Sequence, residues 1–346
     1  QAGDGLDLAA IGTIADQIPL LGPNRSFVKY GLTALNKTIR PGLLSLYKEA
    51  GVKRGVIGTY TIGYIVAPRI NAMGRIQHAM GALRLLCTKN TAQAEEFAHF
   101  LGKTNSERQK IVEEVTVHAK NAVTETMKTS ILVVHESYHE GVIGLAASRL
   151  VEKYYRPTIV ISRGEEISKA SARSIPGFNM IDVLQKLDKL LVEVGGHPMA
   201  AGFSIKTSNV DKFTKAFDKE TKLALNEELL RRRLEIDLEL NFNMLTKKLA
   251  ETLSTFEPTG SGNSAPVFVT NGVTVVDARA VGKTGTHLKL KLQENGKVLD
   301  TIAFGFGHLS PKLAPGSLID IAYNLEENEW NGMVNLQLKA KDIKIE

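Results

Sequence analysis

The sequence holds one cysteine, Cys87, in 346 residues. An internal disulfide is therefore excluded, and this cysteine usage fits a reducing cytoplasm. The lone thiol is expected to act as a small buried hydrophobe. No apolar run approaches the roughly 18 residues that a membrane span needs, so no membrane partner is expected. Internal repeats and low-complexity segments are also missing. The chain has no Gly-x-x-x-x-Gly-Lys loop, no Gly-x-Gly-x-x-Gly turn and no recognisable Ser, Cys or His triad motif. Its start, "QAGDGLDLAAIGTIAD", has neither an initiator Met nor a signal-peptide pattern, and it enters a helical run almost at once. The chain reads as a piece whose upstream portion is missing.

What is present is ordinary for a globular protein: 43% hydrophobic and 23% charged residues. The length suggests two or three domains. A net charge of +6 leans toward anionic partners, but only weakly, because 37 acids are mixed among 43 bases.

Four regions separate by pattern. From 7 to about 86, helix-period stretches are broken by turns, with "PLLGPNR" read as a loop and Pro41 and Gly51 placed to start and end a helix. From 91 to about 126 a charge-rich stretch suits one long or kinked connecting helix. The third region alternates. "SILVVHE" and "PTIVIS" read as buried strands around a helical "GVIGLAASRLVEKYY", and "MIDVLQKLDKLLVEV" reads as helical. Such alternation implies an α/β layer structure up to about 230. After 231 the runs become strand-like, with one helix in "NMLTKKLAETLSTF" and Asn-Gly hairpin signals in "ENG" and "WNG". Five or six strands there suggest a small closed or partly open β-barrel.

Several residues could carry chemistry. Asp16 ends an apolar helical run, either as a solvated helix-end acid or as a ligand, and one acid alone binds no divalent cation well. Asp7 reads as an N-terminal helix acid. Arg69, Asn71 and Arg75 fall within seven residues among small side chains, where two guanidiniums and an amide could hold phosphate oxygens. The plainer alternative is a surface pair on a loop and the next helix. Ser171 and Arg173, two apart, would share one face of a strand. In "VGGHPMAAGFSI", Gly195 and Gly196 free the backbone for close approach, and His197-Pro198 reads as the mouth of a short helix. That corner is either an anion site or a tight turn whose histidine caps the helix. His135, Glu136 and His139 spell His-Glu-x-x-His, but a strand running into a loop cannot stack both histidines on one helix face, so the match is accidental. A helix starting at Gly141 is expected instead, with its N–H groups near any anion in the cleft. Tyr323, Phe304, Phe306 and Trp330 could stack bases, although barrel core is the favoured reading for the phenylalanines.

Taken in order, "DLAAIGTIADQIPLLGPNR", "APRINAMGRI", "HEGVIGLAASRL", "SARS", "GGHPMAAGFS" and "FEPTGSGNSAPVF" resemble the RecJ family, single-strand-specific exonucleases of the DHH phosphoesterase superfamily. The resemblance spans essentially the whole chain. It implies an α/β protein: the C-terminal part of a DHH lobe over 1–88, a connecting helix over 89–127, a DHH-associated domain over 128–230 and an OB-fold barrel over 231–346. It further implies two Mn2+ or Mg2+ ions and 5′-to-3′ hydrolysis of single-stranded DNA to mononucleotides in the cytoplasm, with replication or repair proteins as partners. By the same resemblance Asp16 matches a metal-binding aspartate. Arg69, Asn71 and Arg75 match a substrate-facing loop. Ser171, Arg173, Gly195, Gly196 and His197 match the groove for DNA phosphates, with His197 donating to the departing nucleotide. The sequence departs from the family in that the earlier Asp-x-Asp and Asp-His-His segments do not occur, so this chain alone is expected to be inactive. "FEPTGSGN" also carries Thr259 and Ser264 where an aromatic and a proline are more usual, a loop variation. The alternatives are a phosphodiesterase of short oligonucleotides or cyclic dinucleotides, and a non-catalytic single-strand-binding scaffold.

Overall fold

In the computed structural model of the chain, residues 5–125, 127–330 and 332–345 are described, with backbone alone at Trp330. The Trp330 side chain and Asn331 of "WNG" lie outside that set. Contacts divide the chain into two units, one formed by 1–36 with 234–346 and the other by 37–233.

The first unit opens with α1 (Leu6–Ala15) and α2 (Gly22–Asn36). The "PLLGPNR" loop is therefore shorter than its composition suggests. Pro23 sits in the first helical turn, where its missing N–H costs nothing, so the helix starts inside the expected loop. Asp7 lies in the first turn of α1 and accepts from the Leu8 N–H at 2.8 Å. Leu20 donates its N–H to Ser261 O at 2.7 Å, and Arg25 reaches the carbonyls of Thr255 and Phe256 at 3.2 and 3.0 Å. The two helices thus belong with the C-terminal part of the chain.

The second unit begins with α3 (Pro41–Glu49), which Pro41 starts and Gly51 follows at φ +65°. A π-helical segment, Thr61–Val66, runs directly into α4 (Ala67–Ile76), and α5 (Met80–Cys87) follows. Cys87 is exposed rather than buried. The buried stripe of α5 is Ala82 and Leu85, and a residue two beyond Leu85 turns away from it. The connecting helix is a single α6 (Thr91–Ala122), capped by the Asn90 side chain on Gln93 N–H.

Strands β1 (Ile131–His135) and β2 (Thr158–Ser162) flank α7 (Glu140–Tyr154) and pair in parallel, as the alternation requires. Then come β3 (Ile167–Arg173), α8 (Met180–Gln185), β4 (Leu191–His197), β5 (Ala200–Lys206) and α9 (Val210–Ala224). The sheet order is β1-β2-β3-β5-β4, antiparallel from β2 onward. Two expectations fail here. "MIDVLQKLDKLLVEV" is α-helical only to Gln185, with a short 3-10 turn at Asp188–Leu190, because Leu191 to Val194 is recruited as an edge strand on β5. His197-Pro198 opens no helix: His197 pairs with Ala200 across a Pro198-Met199 turn, where the fixed φ of Pro suits a hairpin.

The rest of the first unit holds β6 (Leu238–Glu239), α10 (Lys247–Ser254), β7 (Phe268–Val281), β8 (His287–Glu294), β9 (Lys297–Ala303), β10 (Leu318–Trp330) and β11 (Met333–Ile345). Strands run β10-β11-β9-β8-β7, and a β10–β7 pairing closes the ring. This closed barrel of five long strands, with β9 and β11 parallel, has the architecture of an OB-fold. The Asn295-Gly296 pair, both at positive φ, makes the β8–β9 hairpin expected from "ENG". Strand alternation sends Ala303 inward and Phe304 outward, so Phe304 is exposed, whereas Phe306 packs partly on the core.

Tyr323 is fully buried in the barrel, its hydroxyl 2.9 Å from Thr270 Oγ1. Burial pushes its phenol up to about 12, so the folded state keeps a proton that the unfolded chain loses near pH 10. Stability from this group is present below pH 10 and lost as pH rises toward about 12. Tyr323→Phe is expected to cost about 1 kcal/mol at neutral pH and to flatten that alkaline loss in thermal melts.

Candidate nucleic-acid interface

The two faces of the second unit's sheet differ in composition. One face, with Ala170, Ala172, Ala201, Phe203 and Ile205, packs with Phe213 and Phe217 of α9. The alternate residues fall on the other face in three rows, because β3, β5 and β4 are paired residue by residue. Arg173, Ala200 and His197 form one row, Ser171, Gly202 and Gly195 the next, and Lys169, Ser204 and Glu193 the third. Successive rows lie about 7 Å apart along the strands. The middle row lacks side chains at two of its three positions, leaving a bare floor between polar ends. Gly196 has φ +151°, and a Cβ there would stand 2.5 Å from Ala200 O, so the bend of β4 tolerates only glycine.

Five arginines of this unit converge near the Arg173 end. Arg69 and Arg75 come from α4, Arg108 from α6, Arg149 from α7 and Arg173 from β3. Burial lowers the pKa of Arg108, and the positive charges of Arg75, Arg149 and Arg69 lower it further. Arg173 is lowered by burial and then by Arg75, and Arg75 by burial. Arg69 is lowered by burial, with Glu49 opposing. The guanidiniums are steered by main-chain carbonyls and an amide: Arg69 to Ile65 O at 2.7 Å, Arg75 to Gly141 O at 3.2 Å, Arg173 to Ala172 O at 2.8 Å and Arg108 to Asn105 Oδ1 at 2.9 Å. Nε of Arg69 and of Arg108 is buried with no hydrogen-bond partner. Like charges gathered in a half-dry setting raise the free energy of the empty site, and an anion relieves that cost.

Close packing sets this geometry. The α7 helix lies against β3 through Gly144, where a Cβ would meet Arg173 Nη2 at 2.8 Å and Ser171 Oγ at 3.4 Å. It lies against α4 through Gly141, where a Cβ would be 1.9 Å from Arg75 O.

The structure brings Arg69, Arg75 and Arg173 into one cluster, places Ser171 one row away, and puts His197 on the same row as Arg173, two strands across. His197 is an exposed strand end rather than a helix cap. Arg69, Asn71 and Arg75 lie on a helix, not on a loop, because the π-helical turn passes straight into α4, and Asn71 is exposed on it. Asp16 belongs to the other unit, at the C-terminal cap of α1 and exposed. Among the described residues no group of three or more His, Cys, Asp or Glu could hold a metal ion. His135 ends β1 and His139 caps α7, its Nδ1 accepting Gly141 N–H at 3.1 Å, so His-Glu-x-x-His is indeed accidental. That contact also takes up the Gly141 N–H, which an anion at the helix start would need.

Sequence reasoning missed Arg108, Arg149, Lys169 and Gly202. Lys169 was legible as the next same-face residue before Ser171 and Arg173. The two helical arginines carried no local signal, since only tertiary packing turns them toward the others.

Residues 122–223 match the DHHA1 domain and residues 236–342 the RecJ OB domain. The single-stranded-DNA-specific exonuclease RecJ of Bacillus subtilis is 37% identical over 344 residues, 98% of this chain and 44% of that protein. The crystal structure of RecJ in complex with Mn2+ from Thermus thermophilus superposes with a TM-score of 0.86 at 30% identity, covering 98% of this chain and 49% of that one. Its Mg2+ counterpart gives 0.85 at 30% identity, covering 98% and 52%. The chain thus spans about half the length of these relatives.

Proposed function

We propose, for a chain that belongs to the RecJ family, that the arginine cluster and its glycine-floored strand face hold the phosphates of single-stranded DNA. The proposal extends to the whole protein as a 5′-to-3′ exonuclease on that substrate. The observation that carries it is the gathering of five arginines, several depressed by burial and by one another, around a strand face with room for a ligand. In this reading Arg69, Arg75 and Arg173 bind phosphate oxygens and Arg108 adds to the field, while the charge of Arg149 is balanced by an ion pair with Glu113. Ser171 donates its hydroxyl, Gly195 and Gly196 let the strand approach the backbone, and His197 donates to the nucleotide being removed. The closed barrel is proposed as a surface for sequence-tolerant contacts to single strands. The four-part division at 88, 127 and 230 is proposed on the same resemblance.

The RecJ structures named above carry Mn2+ or Mg2+, and two-ion hydrolysis needs several carboxylates and histidines around both ions. Asp16 is proposed as one such ligand. The donors among the described residues do not fit a complete centre, as no cluster of three accompanies it. The chain is therefore expected to bind single-stranded oligonucleotides without releasing mononucleotides from them in Mn2+ or Mg2+. Long strands should bind more tightly than dinucleotides. Product release by the purified chain would overturn the first expectation, and preference for dinucleotides would favour a small-nucleotide phosphodiesterase.

A further inference from the structure

Beyond the arginines, the strand face continues into a cavity of about 400 Å3, within the usual range for small-molecule sites. Its lining includes Lys169, Ser171, Glu193, Gly195, Gly202 and Ser204, while α7 contributes a wall through Glu140 and Ile143. The third row is wired together: Lys169 Nζ donates to Ser204 Oγ at 2.9 Å, Ser204 Oγ lies 3.5 Å from Glu193 Oε1, and Lys169 and Glu193 are 3.9 Å apart. Lys169 is half-buried and Glu193 exposed, so both keep free hydrogen-bonding capacity toward the cavity.

We infer that this row is a nucleobase subsite, in which Lys169, Ser204 and Glu193 contact the hydrogen-bonding edge of the terminal base while its phosphate lies at the arginine end. The inference rests on the phosphate reading above. Row geometry supports it. The Lys169 row lies about 7 Å from the Ser171 row and about 14 Å from the Arg173 row, so a phosphate between Ser171 and Arg173 leaves its base near Lys169. The sugar then crosses Gly202 and Gly195, where any side chain would block it. A row offering a donor, an acceptor and a hydroxyl that serves as either can satisfy all four bases. It therefore adds affinity with little base selectivity, and a carboxylate is tolerated because it faces a neutral base rather than a phosphate.

Calorimetric titration of the 346-residue chain tests this, using dAMP, dTMP, 2-deoxyribose 5-phosphate and inorganic phosphate as probes. Both nucleotides are expected to bind at least tenfold more tightly than the sugar phosphate and within about threefold of each other. Lys169→Met and Glu193→Ala should each remove threefold or more of that advantage while leaving sugar-phosphate affinity and the melting temperature unchanged. Equal affinity for nucleotide and sugar phosphate, or an advantage intact in both variants, would overturn the base subsite and leave the phosphate site standing. Binding of neither nucleotide nor sugar phosphate would reject both.

Discussion

Arg173→Ala is expected to weaken binding of a single-stranded oligonucleotide ten- to a hundredfold. The side chain spends one donor on Ala172 O and keeps the rest of its fork for an anion. A charge-assisted contact of this kind contributes roughly 1.5–3 kcal/mol, and each 1.4 kcal/mol is a factor of ten. Losing one phosphate contact should also reduce the slope of log K against log salt by about 0.7. Stability should move the other way or not at all, because the substitution removes one of several crowded cations that already depress each other. Fluorescence anisotropy at four salt concentrations, with a thermal melt, reads all three quantities. Weaker binding with an unchanged salt slope and a lowered melting temperature would mean that Arg173 is structural.

Gly141→Ala should disrupt the packing of α7 on α4 in the second unit. Its Cβ would stand 1.9 Å from Arg75 O, a main-chain atom inside α4 that cannot swing aside. Helix α7 must then lift from α4, at a cost of about 1–3 kcal/mol or more for overpacking. Lifting it also strains the Arg75–Gly141 O hydrogen bond and moves Arg149 away from the cluster. Stability and single-strand affinity should therefore fall together. Gly144→Ala makes the contrast: its Cβ meets the movable end of Arg173, so affinity should drop with little change in melting temperature. Paired urea melts and binding curves for the two variants separate these cases, and equal stability losses in both would contradict the packing described.

The difference between those glycines shows what a sequence carries and what it hides. Alternation of strand and helix, the hairpin at Asn295-Gly296 and the shared face of Ser171 and Arg173 depend on neighbours along the chain, so they were legible. Residues 191–194 were not, because pairing with β5 outweighed a helix-like spacing of apolar residues. The turn at Pro198 was misread for a related reason: proline suits both a helix start and a hairpin, and only the partner strand decides. Cys87 and Phe304 were assigned to the core by residue type, whereas their position relative to Leu85 and Ala303 sends them outward. For the site, the short motifs named three of the five clustered arginines. Arg108 and Arg149 come from helices whose mutual packing spans long sequence separations, and no local pattern marks them.

The most direct measurement is binding of the chain to a labelled single strand and to the matched duplex across a salt titration. Preference for the single strand, with log K falling linearly as log salt rises, is the expected result. A folded chain that binds both alike, or binds the single strand without salt dependence, would contradict a phosphate-holding face built for single-stranded DNA.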